Sequence, residues 1–505
     1  MVLPECLKKN IDSLIAAVLG FIVVQLFTHP GGIGISPDSI AYTGTARNLI
    51  AGKGFTEFSG GAMVSFPLLY PFFLAAIMFV TQTDIIVVAP YLNGLLFAVL
   101  IFLSGTIIEH FKYKTNIYKR ILLAIMICSP SLIEIYTMLW SETLFILLVV
   151  IFIYFFKHYF RTHSFKSLLI AAFIVALAFD TRYAGITLIG TGCLLIFFDK
   201  NLNWTNKFRH IFVFGCGGSS LACINLIRNA VVGGMATGMR QKGITPFAKN
   251  VGYSGNVFSD WFTFQFEGQL FFEILLVAVM VLFLIFFLKN FRHWKAYYTF
   301  ENVAVSFFIV YVLFIVISST LSRYETINNR LLSPAFIPLL WISTCQIPKW
   351  RKQVTHKQLS WIFFAITLGI AFVIIGSYII TNREKLFYVR VSGIHGYNED
   401  AWRNSRIVSY LQHHNEYFDK DSTIYSNHSQ AVYFLTNHLV STLPERVYKE
   451  DVKEFKAESP IVLIWFYNDP NPDLLTLKEI HKYKKIKLVK SFSDGAIFIL
   501  TNEVN

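Results

Sequence analysis

Along the chain, long apolar runs alternate with short polar segments. Runs of helical length cover approximately Ile11 to Thr28, Phe66 to Val80, Ile85 to Ile108, Ile121 to Met138, Glu142 to Phe156, Ser167 to Phe179, Tyr183 to Phe198, His210 to Ile227, Leu270 to Leu288, Asn302 to Thr320, Leu331 to Ile347 and Leu359 to Ile380. A helix needs ~20 apolar residues to cross a bilayer, so this pattern predicts a polytopic helical membrane protein. Ile11 to Thr28 is followed by no small-residue cleavage site and is expected to be a retained span.

Basic residues fix the sides. Lys and Arg gather at Lys8 and Lys9, Lys112 to Arg120, Lys157 to Lys166, Lys200 to Arg209, Lys289 to Lys295 and Lys349 to Lys357, and the positive-inside rule places these segments in the cytoplasm. From Lys112 onward two runs separate each pair of basic segments, as alternation demands. Between Lys9 and Lys112 there are three. Phe66 to Val80 is short, begins with Pro67 and Pro71 and is followed by a loop without a basic residue, so it is assigned as a re-entrant or interface-lying helix on the outer face. About eleven transmembrane helices remain, with the N-terminus cytoplasmic.

After Ile380 the character changes. Charges become frequent, and the β-rich runs "STIYS", "IVLIWFY" and "GAIFILT" alternate with amphipathic segments such as "EDAWRNSRIVSYLQHH". The expected division is a transmembrane domain over 1–380 and a small extracytoplasmic α/β domain over 381–505. In the first outer loop, "SPDSIAYTGTARNLIAGKGF" predicts a helix with Asp38 at its N-cap after Pro37, a loosely apolar face of Ile40, Ala41, Leu49 and Ile50, and a stop at Gly52 to Gly54. It is expected to lie on the membrane surface.

Composition agrees with this picture. Hydrophobic residues make up 54% of the 505 and charged residues 15%, against about a quarter charged in soluble domains. The net charge of +13 sits between apolar runs and forms no basic stripe, so it reads as topology and not as nucleic-acid binding. Six cysteines show no CxxC spacing, and Cys6 lies near the N-terminus while none follows Cys345; neither a disulfide framework nor a metal knuckle is indicated. Phosphate loops, HExxH and GxSxG are absent from the sequence, which removes support for nucleotide hydrolysis and proteolysis.

Ionisable residues cluster at the outer ends of the runs: Asp38, Glu57, Glu142, Asp180, Arg182, Tyr183, Arg228, Arg323, Tyr324, Glu325 and Arg330. Charges at membrane depth tend to line a cavity or pathway. Asp38 reads either as a helix cap or as a general base at the water–lipid boundary. Glu142 reads as a first-turn acid or as a group that orients an acceptor or holds a metal. Arg182 reads as the local partner of Asp180 or as a phosphate clamp, and Arg323 and Arg330 as surface anchors or as ligands of an anionic head group.

Five segments taken in order, "SPDSIAYTGTARNLIAGKGF", "FPLLYPFFLA", "LWSETLFILL", "DTRYAGITLI" and "NNRLLSPAFIPLL", resemble the polytopic GT-C glycosyltransferases, in particular bacterial members related to protein O-mannosyltransferases and aminoarabinose transferases. The resemblance implies transfer of a hexose or pentose from a polyprenyl-phosphate donor to a hydroxyl acceptor on the outer face of the inner or plasma membrane. It implies Asp38 as catalytic base, Arg182 and Arg330 as ligands of the donor phosphate, and Glu142 on the acceptor side or at a metal; by their place at the outer ends of the runs, Arg323 and Tyr183 are expected to join the donor phosphate and Glu57 and Asp180 the acceptor or substrate. No cofactor is required, though a divalent metal is compatible with the site. The chain lacks the paired acids of the first loop in protein O-mannosyltransferases and reduces their His-Pro-Pro-type element to Phe66-Pro67. This turns the expected acceptor from protein toward glycolipid, lipopolysaccharide or another surface glycan. The alternatives are a lipid-linked sugar flippase without chemistry and a glycan ligase or polymerase with a pyrophosphate-linked donor.

Overall fold

The computed structural model describes residues 9–238, 240–263, 268–323, 325–414, 423–467 and 471–502. Cys6, Lys8 and Tyr324, singled out in the sequence, lie outside these residues. Backbone contacts divide the chain into one unit of Met1–His29 with Met63–Phe387 and a second of Pro30–Ala62 with Tyr388–Asn505. The loop 30–62 therefore groups with the C-terminal region instead of with the helices that flank it. Nor does a boundary fall at 380, because one helix runs unbroken from Lys357 to Ser392.

The first unit is helical. Among the described residues eight helices are long and apolar enough to cross a bilayer: Ile11–Thr28, Ile85–Ile108, Glu142–Thr162, Trp204–Gly233, Gln269–Arg292, Phe300–Leu321, Asn329–Gln353 and Lys357–Ser392. Eleven were expected, and the difference lies in three runs. Ile121 to Met138 breaks into Asn116–Cys128 and Pro130–Thr137, bent by 49°. Pro130 has no N–H to continue the helical ladder, and Ser129 caps the new start by accepting from the Leu132 N–H at 3.4 Å. Counted as one span, the bent pair makes nine. The other two runs form helices of 17 residues, Phe165–Thr181, and 12 residues, Ile186–Phe197, the latter continuing the helical turn Tyr183–Gly185; both are shorter than the ~20 residues of an average span. Leu69–Thr81, expected to be re-entrant, is a helix of 13 residues, about 20 Å long.

Small residues let these helices approach closely. A Cβ on Gly20 would come 2.3 Å from the Ile101 side chain, and one on Gly105 equally near the Ser13 hydroxyl, so side chains of Ile11–Thr28 and Ile85–Ile108 seat in the notches that each other's glycines leave. Gln25 adds a side-chain bond to the Pro90 carbonyl at 2.8 Å. Asn329–Gln353 is almost wholly enclosed by its neighbours, whereas Gln269–Arg292 and Lys357–Ser392 leave most of their apolar surface bare. Apolar faces of that extent suit lipid and not water.

In the second unit, among the described residues, five strands form one mixed sheet in the order β2-β1-β3-β5-β4, with β1 Thr423–Ser426, β2 Ser441–Thr442, β3 Ile461–Phe466, β4 Lys484–Ser491 and β5 Gly495–Asn502. The three predicted β-rich runs are β1, β3 and β5, apart from Ser422, which lies outside the described residues. β3 pairs parallel with β1 and antiparallel with β5. One face packs Ile424, Ile464 and Ile497 on Ile407, Val408 and Leu411; the other packs Leu463 and Leu500 on Phe455. β4 is an edge strand whose lysines keep it from pairing with other chains. The amphipathic "EDAWRNSRIVSYLQHH" splits into Asp400–Arg403 and Arg406–His413, with Ser405 capping the second by accepting from the Val408 N–H. Asn427 bonds the Phe466 backbone in both directions, at 2.8 and 2.9 Å, so its Asn-His-Ser triplet is a buried structural joint.

The loop 30–62 is built into this unit. Ile35 bridges to Gly396 and accepts from the Tyr397 N–H at 2.8 Å, and Phe58 stacks on Tyr433 with ring centroids 4.8 Å apart. Gly396 has φ +94° and a Cβ there would sit 2.1 Å from the Ile35 carbonyl, so only glycine fits.

Candidate active site

The helix Glu142–Thr162 begins at a corner, "MLWSE", that its neighbours hold in place. Asn93 donates to the Met138 carbonyl at 2.8 Å, Tyr136 donates its hydroxyl to the Thr143 carbonyl at 3.1 Å, and Thr143 donates to the Trp140 carbonyl at 2.8 Å. These bonds point Glu142 inward, where its side chain is 1% exposed. A lone buried carboxylate would be costly. Here two guanidinium groups meet it on one oxygen: Arg182 Nη1 and Arg330 Nε both contact Glu142 Oε1, the latter at 2.5 Å.

Each arginine is positioned by a helix end. Arg182 follows Phe165–Thr181 in extended backbone, and its carbonyl accepts the Gly185 N–H at 2.8 Å in a turn so tight that a Cβ on Gly185 would strike the Phe179 backbone. Its Nη1 also donates to the Ser141 hydroxyl at 3.2 Å. Arg330 lies in the first turn of Asn329–Gln353, where Asn328 caps by accepting from the Leu331 N–H at 3.1 Å. Its guanidinium lies over the Trp140 ring at 4.3 Å, a cation–π contact that also holds the plane of the fork. Both arginine side chains remain partly exposed, at 18% and 13%. A second acid, Glu325, stands 3.7 Å from Arg330 Nη1 and is 46% exposed.

Several expectations change here. Arg182 takes Glu142 as its carboxylate partner and not the adjacent Asp180, which instead faces the Asn225 side chain and the Leu68 backbone. Asp180 Oδ1 and the Asn225 amide are buried together in a polar corner. Arg323 is engaged in structure: its Nη1 donates to Gln241 Oε1 at 2.7 Å and its N–H to the Gln241 carbonyl at 2.9 Å, fastening the long loop after Trp204–Gly233 to the end of Phe300–Leu321. Tyr183 presents its ring to the Arg240 guanidinium at 5.7 Å, and Arg228 donates to the Met63 carbonyl at 2.6 Å. Trp140 and Asn225 carry no sequence signal of their own; Ser141, expected only to cap the helix that begins at Glu142, stands at that N-cap position without a side-chain cap bond and accepts from Arg182 instead.

Asp38 belongs to the second unit. The cap of its helix, Pro37–Ile50, is Ser36, which forms a capping box with Ser39: the Ser36 N–H donates to Ser39 Oγ at 3.0 Å. With Pro37 at the first helical position, Asp38 falls in the first turn and is half-buried, so the cap lies two residues earlier than the expected Asp38. The helix is buried all round from Ser39 to Ala46 instead of along one face. Glu57 sits in a turn closed by its own N–H to the Gly61 carbonyl at 2.7 Å, and burial pushes its carboxyl above the ordinary range. No group of three or more His, Cys, Asp or Glu side chains placed to hold a metal ion occurs among the described residues.

No family model matches the chain, and no curated protein matches it in sequence. Solved structures do. ArnT from Cupriavidus metallidurans aligns over 97% of both chains at 11% identity, with TM-scores of 0.57 in the apo state and 0.55 bound to undecaprenyl phosphate. The archaeal oligosaccharyltransferase AglB from Archaeoglobus fulgidus, in complex with an inhibitory peptide and a dolichol-phosphate, aligns over 91% of this chain and 70% of its own at 10% identity and a TM-score of 0.53. The chain has the fold of the GT-C membrane glycosyltransferases.

Proposed function

We propose that this protein is a glycosyltransferase that moves a sugar from a polyprenyl-phosphate carrier to a hydroxyl of a glycolipid, lipopolysaccharide or other surface glycan. The observation that carries the reading is the pair of guanidinium groups converging on buried Glu142. A guanidinium offers five N–H donors in a fixed fork, and one carboxylate oxygen shared between two of them leaves the trio with a net positive charge, which the half-exposed Glu325 offsets from 3.7 Å through water-accessible space. Such a preorganised, partly exposed cationic pair matches a phosphate. The solved structures of the same fold with undecaprenyl phosphate and dolichol-phosphate support the carrier class.

In this reading Arg182 and Arg330 hold the carrier phosphate, and Glu142 positions them. Asp38 accepts the proton of the acceptor hydroxyl as its oxygen attacks the anomeric carbon. The bond from that carbon to the phosphate oxygen breaks, and its electron pair leaves with polyprenyl phosphate, whose charge the guanidiniums stabilise. Direct displacement inverts the anomeric centre. Asp180 and Glu57 serve the sugar or the acceptor. The reaction takes place on the outer face, with the N-terminus in the cytoplasm and the C-terminal unit outside. A divalent metal is not required, since guanidinium alone neutralises the leaving group.

The test is transfer of radiolabel from polyprenyl-phosphate sugars to membrane glycolipid extract by purified wild type and Asp38→Asn. Transfer by the wild type, abolished in Asp38→Asn with carrier binding retained, supports the reading. Equal transfer by both removes Asp38 as base, and carrier binding with no transfer by either favours a flippase.

A further inference from the structure

At the opposite end of the helix Glu142–Thr162 from Glu142, three chain segments meet around a cavity of about 320 Å³, room for about ten water volumes. Arg161 is about 28 Å from Glu142 along the helix axis, so this is a separate place from the candidate active site. Lys157, His158 and Arg161 come from the last turns of that helix, His110 and Lys112 from the segment after Ile85–Ile108, and Phe300 and Glu301 from the start of Phe300–Leu321.

Three cations face one carboxylate here. Glu301 is buried and accepts from the Cys345 thiol at 3.5 Å. Among the described residues Lys112, Lys157 and Arg161 have no ion pair. Neighbouring lysines at the same end do: Lys119 reaches both Asp12 and Glu109 at 2.7 Å, and Lys114 pairs with Glu109. Cations at a helix C-terminus also neutralise its dipole, and that alone would account for Lys157 and Arg161 fanned out into solvent. It does not account for a concave wall to which a second segment adds Lys112, nor for Lys157 half-buried with its ammonium 5.9 Å over the Phe300 ring.

The remaining wall is aromatic. Tyr154 and Phe300 stack with centroids 6.1 Å apart, and His110 packs on Phe300 at 5.6 Å. All three segments leave or enter apolar helices at this point, so the cavity lies at the level where a bilayer turns from hydrocarbon to head groups. We propose that it binds the phosphate of an anionic phospholipid from the leaflet at this basic end, with Lys112, Lys157 and Arg161 on the phosphate and the aromatic wall against the glycerol and upper acyl carbons.

The test is native mass spectrometry of the full-length protein purified from nanodiscs of equal phosphatidylglycerol and phosphatidylcholine. The wild type is expected to retain phosphatidylglycerol preferentially, Lys112→Gln to lose about fivefold of that preference, and the Lys157→Gln, Arg161→Gln double variant to lose more. Lys157→Arg should retain it. Lys112 lies outside any helix, so its variant tests the site without disturbing the fold. Equal preference in wild type and all variants would overturn the proposal. Full displacement of the lipid by millimolar inorganic phosphate would also overturn it, by showing a site for a free anion.

Discussion

Arg330 Nε and Glu142 Oε1, 188 residues apart in sequence, meet at 2.5 Å in the interior of the helical unit. Neither residue is tolerable there alone. A buried carboxylate without a cation would give up its proton-binding balance or its fold, and the guanidinium borrows its orientation from the carboxylate and from the Trp140 ring.

Glu142→Gln should therefore destabilise the protein strongly, by about 3 kcal/mol or more, since it leaves two guanidinium groups facing each other across an amide. Thermal unfolding in a neutral detergent reads this directly. A melting temperature unchanged from wild type would mean that the trio contributes little.

Replacing Arg330 by Lys keeps the charge but loses the planar fork and its seat on Trp140. The proposed carrier role predicts polyprenyl-phosphate affinity about tenfold weaker for Arg330→Lys, and weaker again for Arg330→Ala. Equilibrium binding in detergent measures it; Lys performing as well as Arg would mean that only charge matters.

Glu325 competes with any anion for Arg330 from its exposed side at 3.7 Å. Exposed pairs of this kind contribute about 0.2–1 kcal/mol, so Glu325→Gln should tighten carrier binding by about 1.4- to fivefold. The gain should shrink as salt is raised. Weaker binding in Glu325→Gln would make this acid a ligand and not a competitor.

In the second unit, the Thr476 N–H and hydroxyl donate to Glu479 Oε2 at 2.8 and 2.7 Å and hold its carboxyl down to about 2. Because the folded value lies below the unfolded one, the stabilisation is complete above the ordinary glutamate range and is lost as pH falls from about 4.5 toward 2. Hydrogen-exchange protection of the Glu479 amide, which donates to Thr476 Oγ1 at 3.3 Å, should drop across that window and should be lower at pH 6 in Thr476→Ala. Flat protection from pH 6 to 3 would exclude the capping box as the cause.

Much of the architecture is written in local pattern. Apolar runs with basic flanks give most of the spans, and period-two runs give β1, β3 and β5. The weak points are local too. The break at Pro130 was present in the run Ile121 to Met138, but hydropathy averages over a proline whose effect is geometric. β4, with its lysines at 484, 485, 487 and 490, reads as polar because it is an edge and exposes most of its length. Ser36 rather than Asp38 caps the helix because Pro37 occupies the first helical position, a choice that composition near a helix start leaves open.

The sequence by itself determined a helical membrane protein with a small α/β unit after it, and it named Glu142, Arg182 and Arg330 as residues with a purpose, since charges are rare in apolar runs and expensive there. Which of them pair was decided only by tertiary structure. Asp180 is two residues from Arg182 and looked like its partner, yet the helix end directs the two side chains apart, and the Asn93 and Tyr136 bonds deliver Glu142 to Arg182 instead. Likewise Arg323 and Arg330 look alike in sequence, but the first fastens a loop and the second reaches the buried carboxylate. Spacing along a chain sets which residues can be near; the directions imposed by helix ends and packing set which charges meet.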